Sequence, residues 1–148
     1  MENINPMGSK VQDGYKCKPV VRDSQKPIMY YKSHILVCTG KRCQPENEND
    51  IDLPNYLRDL LRNSNMNRGK NRIKVTQVGC FGACRFRKVA LFYTNSNDHL
   101  PINNALWLRK VHKLADSQWN DVFDCLVSNK SVIEHLGKDF LIPMEELN

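Results

Sequence analysis

The apolar residues of this chain come in short runs that are separated by polar, often Asn-rich loops. Residues 34–37 form a branched apolar run that is too short for a helix and typical of a buried strand. Residues 73–78 alternate as a strand, residues 89–93 form another apolar run, and residues 105–111 can return as a hairpin partner. The pattern therefore predicts four strands.

Two amphipathic helices and a short helical turn are predicted around these strands. The first helix has Asp52 placed to cap it and Pro54 in its first turn, and its leucines repeat at helical spacing. The second helix is predicted to begin with Asp116 as its cap, and a helical turn is predicted over residues 131–136. The apolar faces of the two helices carry Leu53, Leu57, Leu60 and Leu61, and Trp119, Val122, Phe123, Leu126 and Val127.

The order of predicted elements, β-α-β-β-β-α, indicates an α/β fold with a mixed sheet flanked by helices. A helix between two strands is the usual connection of parallel strands, while the later hairpin adds antiparallel ones. Residues 1–32 have few apolar positions and no periodicity, so we expect a flexible extension there. Residues 33–137 are predicted to form one domain, and residues 138–148 a C-terminal tail.

The length, charge and hydropathy of the chain limit the classes of protein to which it can belong. The chain has 148 residues, enough for one domain with its own core, and a formal net charge of +6 with a pI near 9.1. It shows no signal-peptide pattern and no apolar run that could cross a bilayer, so we expect a cytoplasmic protein without a membrane partner. The positive charge favours an acidic partner.

Four of the six cysteines form two pairs, Cys38 with Cys43 and Cys80 with Cys84, and each pair follows a predicted strand. In a reducing compartment, clustered cysteines are better explained as metal ligands or redox groups than as structural disulfides. Thiolates suit iron–sulfur clusters and zinc far better than hard ions. The spacing leaves three alternatives open: an iron–sulfur cluster, a structural zinc site, and redox-active thiols or a disulfide.

The other two cysteines are expected to lie outside any such site. Cys17 has no cysteine near it in the sequence. Cys125 falls about 130° from the centre of the apolar face of the second helix, so it should point away from the core.

Glycines near the pairs favour a cluster over zinc. A loop that wraps a 2Fe-2S cluster must bring backbone N–H groups close to sulfur, often at positive φ, and Gly40, Gly79 and Gly82 allow this. Structural zinc usually organises small units with little core of their own, whereas this chain has the helices and strands for an ordinary core.

The full motif is Cys-x4-Cys, then 35 residues, then Gly-Cys-Phe-Gly-Ala-Cys. It resembles the thioredoxin-like 2Fe-2S ferredoxins and the related thioredoxin-like subunit of respiratory NADH dehydrogenase. The resemblance covers residues 33–93, and residues 34–40 are similar to small bacterial members of the group. It implies a thioredoxin-like fold, with which the element order agrees, and one 2Fe-2S cluster held by Cys38, Cys43, Cys80 and Cys84.

We therefore expect a small electron carrier, not an enzyme, that passes single electrons to or from a protein redox partner. No phosphate-binding glycine loop, nucleophile elbow or nucleic-acid motif is visible. Basic residues flank both pairs and predict an acidic docking surface on the partner: Lys41, Arg42, Arg85, Arg87 and Lys88.

Two other functions fit the same cysteines. One is a zinc-stabilised four-cysteine module that recognises an acidic protein or nucleic acid. The other is an accessory 2Fe-2S subunit of a larger redox enzyme. Each of these functions is also compatible with a homodimer.

Overall fold

A four-stranded mixed sheet forms the centre of the fold in the computed structural model, which describes residues 4, 8–14, 31–40, 52–95 and 102–142. The strand order is β2-β1-β3-β4, and the predicted α/β class with a mixed sheet is confirmed. In chain order the elements are β1 (Ser33–Cys38), α1 (Leu53–Asn63), β2 (Ile73–Val78), β3 (Ala90–Thr94), β4 (Leu106–Leu108), α2 (Asp116–Ser128) and α3 (Val132–Leu136).

The two strands that precede the cysteine pairs run parallel. β1 pairs with β2 from Ser33 opposite Ile73 to Cys38 opposite Val78, with α1 in the connection between them. β3 runs antiparallel to β1, and β4 antiparallel to β3. Because parallel strands end on the same side of a sheet, the chain leaves β1 and β2 at neighbouring positions.

Helix α1 begins as the sequence predicts. The Asp52 side chain accepts a hydrogen bond from the Asn55 N–H, and Pro54 lies in the first turn, where its missing N–H costs no hydrogen bond. Leu53, Leu57 and Leu61 are buried. Within the described ranges, no helix is both long and apolar enough to span a membrane.

The prediction that Asp116 caps the second helix is wrong by one residue. Ala115 is the N-cap of α2, and its N–H donates to the Gln118 side chain at 2.9 Å. Asp116 lies in the first turn and accepts a hydrogen bond from the hydroxyl of Tyr56 on α1. The Asp116 carboxylate thus links α2 to α1 and does not cap α2.

Both helices pack on one face of the sheet. The main core combines α1 and α2 with alternate residues of the strands, and Trp119, Phe92 and Phe123 are its largest fully buried side chains. Since successive strand residues point to opposite faces, Val37 enters this core while Cys38 faces the other way. Cys38 lies in a second, smaller group, here called the strand-end cluster: Cys38, Val89 and Ile142, with Val78, Phe81, Ala83, Phe86 and Trp107 packed around them.

The prediction that Cys125 points away from the core is also wrong. Cys125 is buried and belongs to the main core. The periodicity of α2 defines only its widest apolar face, whereas α3 folds back beside α2, and Cys125 and Ser131 line the same cavity. Burial, followed by the charge of Asp121, raises the pKa of the Cys125 thiol, so it stays protonated at neutral pH and packs as an apolar group.

The first residues of the predicted C-terminal tail lie against the sheet. Residues 138–142, assigned to the tail, pack onto the sheet: Ile142 is buried, and its N–H donates to the Trp107 carbonyl at 3.1 Å. Residues 143–148 and most of the predicted extension 1–32 lie outside the described residues.

The hairpin strand is shorter than the predicted segment 105–111. β4 covers only Leu106–Leu108 because Lys110 takes a left-handed conformation, with φ 56°, and a 3-10 turn follows at Val111–Lys113.

A buried asparagine joins the hairpin to the helices. Asn103 is 8% exposed, its side-chain oxygen accepts the Val132 N–H at 2.8 Å, and its amide group donates to the Lys130 carbonyl at 2.6 Å. One side chain therefore satisfies two backbone groups in the connection between α2 and α3.

We expect Asn103→Ala to lower the free energy of unfolding by about 3 kcal/mol, because it leaves two backbone groups without their partner. Urea denaturation followed by circular dichroism measures the change. The neighbouring Asn104 is exposed and makes one long hydrogen bond, 3.4 Å to the Thr94 N–H, so Asn104→Ala serves as the control, with a loss below about 1 kcal/mol. Equal losses in the two variants would contradict this role of Asn103.

Candidate metal centre

The loops that follow β1 and β2 lie against each other. The N–H and the hydroxyl of Thr39 both donate to the Val78 carbonyl, each at 2.8 Å. One residue further on, a Cβ atom placed on Gly40 would lie 2.3 Å from the Gly79 carbonyl oxygen. Only glycine allows this approach without a shift of the backbone, and the approach brings the loop of Cys38 beside the loop of Cys80.

Cys38 is enclosed by the strand-end cluster. Its exposed fraction is 0%, and its Sγ accepts a hydrogen bond from the Val89 N–H at 3.2 Å. The backbone of Cys38 also donates to the Val89 carbonyl, so this pair of residues is joined twice. An amide directed at sulfur stabilises negative charge there and fixes the side chain.

Cys80, in contrast, is exposed. Its Sγ accepts the Gly82 N–H at 3.1 Å, and Gly82 has φ +76°, which turns its amide back toward the sulfur. Phe81 packs edge-on against Trp107 of β4, with 5.0 Å between the ring centroids, and so anchors the loop to the sheet. The expected approach of a glycine N–H to sulfur is therefore present in the loop of Cys80, whereas Cys38 accepts its N–H from Val89, directly before β3.

A histidine that the sequence did not single out adjoins the donor of Cys38. His112 Nδ1 accepts the Lys88 N–H at 3.1 Å, and the next amide along the chain, that of Val89, donates to Cys38. His112 thus holds the chain one residue before that donor. No sequence pattern marks this contact, because the two residues are 24 positions apart.

The basic residues around the centre divide into two groups. Arg85 and Arg87 are exposed, as a docking role requires. Lys88 is only 2% exposed, so the prediction that its charge faces a partner is wrong. Lys41 and Arg42 lie outside the described residues.

A further cation, which the sequence did not indicate, lies near the second pair. The guanidinium of Arg109 sits 6.0 Å from the centroid of the Phe86 ring, and its Nε donates to the Asp139 carbonyl at 2.7 Å. Phe86 belongs to the strand-end cluster, so Arg109 covers one of the rings of that cluster.

Half of the predicted ligand set can be described. The sulfurs of Cys38 and Cys80 are placed, while Cys43, Cys17 and the side chain of Cys84 lie outside the described part of the chain. The backbone of Cys84 begins a 3-10 turn, Cys84–Phe86. Within that described part, no group of three or more His, Cys, Asp and Glu side chains is placed to hold a metal ion.

The two described sulfurs fit a thiolate-bound centre in their chemistry. Each accepts one backbone N–H, and the strand ends that carry them are neighbours in the sheet. Soft thiolates with amide donors suit iron–sulfur clusters and zinc, and do not suit hard ions such as Mg²⁺. Comparison with protein-family models and with curated proteins finds no match for this chain.

Gly40→Ala should separate the two loops, because the added methyl group would meet the Gly79 carbonyl. We expect a loss of about 1–3 kcal/mol in the free energy of unfolding. Gly79→Ala is the matched control, since a Cβ at Gly79 has no atom within 4 Å. Urea denaturation compares the two, and a Gly79→Ala variant that is as destabilised as Gly40→Ala would contradict the close approach.

Proposed function

We propose that this chain is a small electron-transfer protein that carries one 2Fe-2S cluster, with Cys38, Cys43, Cys80 and Cys84 as ligands. The observation that carries the proposal is the juxtaposition of the end of β1 with the loop that follows the parallel strand β2, where the Cys38 and Cys80 sulfurs each accept a backbone N–H. Two cysteine pairs match the need of each iron for two thiolates.

The sheet supports a thioredoxin-like fold for the carrier. β1 and β2 are parallel and joined through α1, and β3 and β4 follow as antiparallel strands on the other side of β1. This connection and order agree with the fold that the cysteine motif implies. They also explain how cysteines 42 positions apart, such as Cys38 and Cys80, reach neighbouring loops.

The residues around the centre supply its environment. A bound 2Fe-2S cluster would supply one-electron oxidation and reduction. The strand-end cluster keeps water from Cys38, while the amides of Val89 and Gly82 direct partial positive charge at the two sulfurs. Both the hydrogen bonds and the nearby arginines favour the more negative, reduced state and so raise the potential.

The two sulfurs also differ in whether a redox partner can reach them. Cys38 is enclosed, whereas Cys80, Arg85 and Arg87 are exposed within eight consecutive residues. We propose that the redox partner docks on this loop and presents acidic groups to the two arginines. An accessory subunit of a larger redox enzyme would use the same surface permanently.

Anaerobically purified protein should be red-brown, contain about two iron and two labile sulfide atoms per chain, and give an electron paramagnetic resonance signal on reduction. Visible absorption, metal analysis and the resonance spectrum measure these properties. A colourless protein with one zinc per chain would contradict the proposal and support the zinc-stabilised module instead.

Cys84→Ser should abolish the visible absorption, because a hydroxyl is a much poorer ligand for iron in such a cluster. Cys125→Ala is the control, since Cys125 belongs to the main core and not to the strand-end cluster, and Cys17→Ser is a second one. Both controls should keep the colour. Loss of cluster from either control in a folded protein would show that the ligand assignment is wrong.

A further inference from the structure

Residues 110–112, here called the supporting segment, follow β4 and bond to the chain that leads from the second cysteine pair to β3. The Lys110 N–H donates to the Phe86 carbonyl, and the Val111 N–H donates to the Lys88 carbonyl, each at 3.1 Å. The left-handed conformation of Lys110 turns the chain at this point. The supporting segment thus holds the backbone that directly precedes Val89 and β3.

His112 adds a side-chain contact to this support. The Lys88 N–H donates to Nδ1 of His112 at 3.1 Å, so both backbone polar groups of Lys88 are bound by the supporting segment. A ring nitrogen that accepts an N–H carries no proton, and the contact therefore requires the neutral imidazole with its proton on Nε2. Because Lys88 and Val111 are buried, water does not readily replace a bond that is lost here.

The peptide group between Lys88 and Val89 connects the supporting segment to the Cys38 sulfur. Its carbonyl accepts the Val111 N–H, and its N–H donates to Cys38 Sγ at 3.2 Å. A peptide group is planar, so a contact that fixes its carbonyl also fixes the direction of its N–H. His112 holds the N–H of Lys88, the residue from which this peptide group starts. The direction of the amide at Cys38 therefore depends on both contacts.

We propose that His112 is a positioning residue for the metal centre: it keeps the Val89 amide directed at the Cys38 sulfur and so helps to set the reduction potential of the 2Fe-2S cluster. An amide directed at a thiolate favours the more negative, reduced state, so a looser amide lowers the potential. The effect on the potential rests on the proposed function. The orientation of the amide does not, because it needs no bound cluster.

Substitutions at His112 can remove its contact alone, because the other contact to Lys88 comes from the backbone of Val111. Asn carries a side-chain oxygen as many bonds from the backbone as Nδ1, whereas Gln carries its oxygen one bond further, as far as Nε2. Leu has no acceptor. His112→Asn should thus keep the bond to Lys88, and His112→Gln and His112→Leu should lose it.

Hydrogen exchange of the full chain as purified, resolved to single amides by fragmentation mass spectrometry, tests the orientation whichever metal is bound. The Lys88 N–H exchanges faster in any variant without an acceptor, so the next amide, that of Val89, decides. We expect the Val89 N–H to exchange about tenfold faster or more in His112→Leu and in His112→Gln, because it opens more often. His112→Asn should restore its protection.

Two references separate this local effect from a general loss of stability. The Val132 N–H, which donates to the Asn103 side chain at 2.8 Å, should change its exchange rate by less than about twofold in every His112 variant. His34→Leu is the matched control, because His34 is also half-buried and its Nε2 lies 2.7 Å from the Thr76 hydroxyl. This control should leave the Val89 amide protected.

The reduction potential of the cluster-loaded protein gives a second measurement. His112→Leu should lower the equilibrium constant for reduction by about two- to tenfold, the range that one ordinary hydrogen bond contributes. His112→Asn should restore the potential, and His34→Leu should leave it unchanged. Protein-film voltammetry measures all three variants.

Unchanged exchange of the Val89 amide in folded His112→Leu, or equal acceleration at Val132, would overturn the proposal. Rescue by Gln and not by Asn would also overturn it, and this comparison decides if His112→Leu does not fold. Faster exchange at Val89 with an unchanged potential would refute the effect on the cluster. A protein without iron in which His112→Leu still loosens the Val89 amide would refute the electron-transfer proposal and keep the positioning role at Cys38.

Discussion

The parallel pairing of β1 with β2 is the constraint on which the candidate centre depends. The pairing needs a crossover through α1, and the crossover returns the chain so that Cys38 and Val78 stand opposite each other. The register matters as much as the direction of the strand. A slip of one residue would turn Cys38 into the main core and expose Val37 to the strand-end cluster, so the packing of the main core also fixes which side Cys38 faces.

Much of the fold could be predicted because its signals are local. The leucine spacing, Asp52 and Pro54 define α1 within a dozen residues, and the short apolar runs define the strands. The same local signals fail where a distant segment decides the outcome. Asp116 bonds to Tyr56 of the other helix, and Cys125 is buried beside a helix that comes after it in the chain.

In the candidate site, too, local sequence signals do not predict contacts between distant segments. The glycines indicated loop amides near sulfur, and Gly82 supplies one to Cys80, whereas the amide at Cys38 comes from Val89, which the sequence did not single out. The contact of His112 with Lys88, and the burial of Lys88, join segments that no motif connects.

The complete enclosure of Cys38 has a kinetic consequence. A reagent that attacks thiols must reach the sulfur, and Cys38 exposes no surface to solvent while this end of the sheet is closed. In protein without a bound cluster, modification of Cys38 must therefore wait for a local opening of the strands. The rate at which the Cys38 thiol is modified thus measures how often this end of the sheet opens.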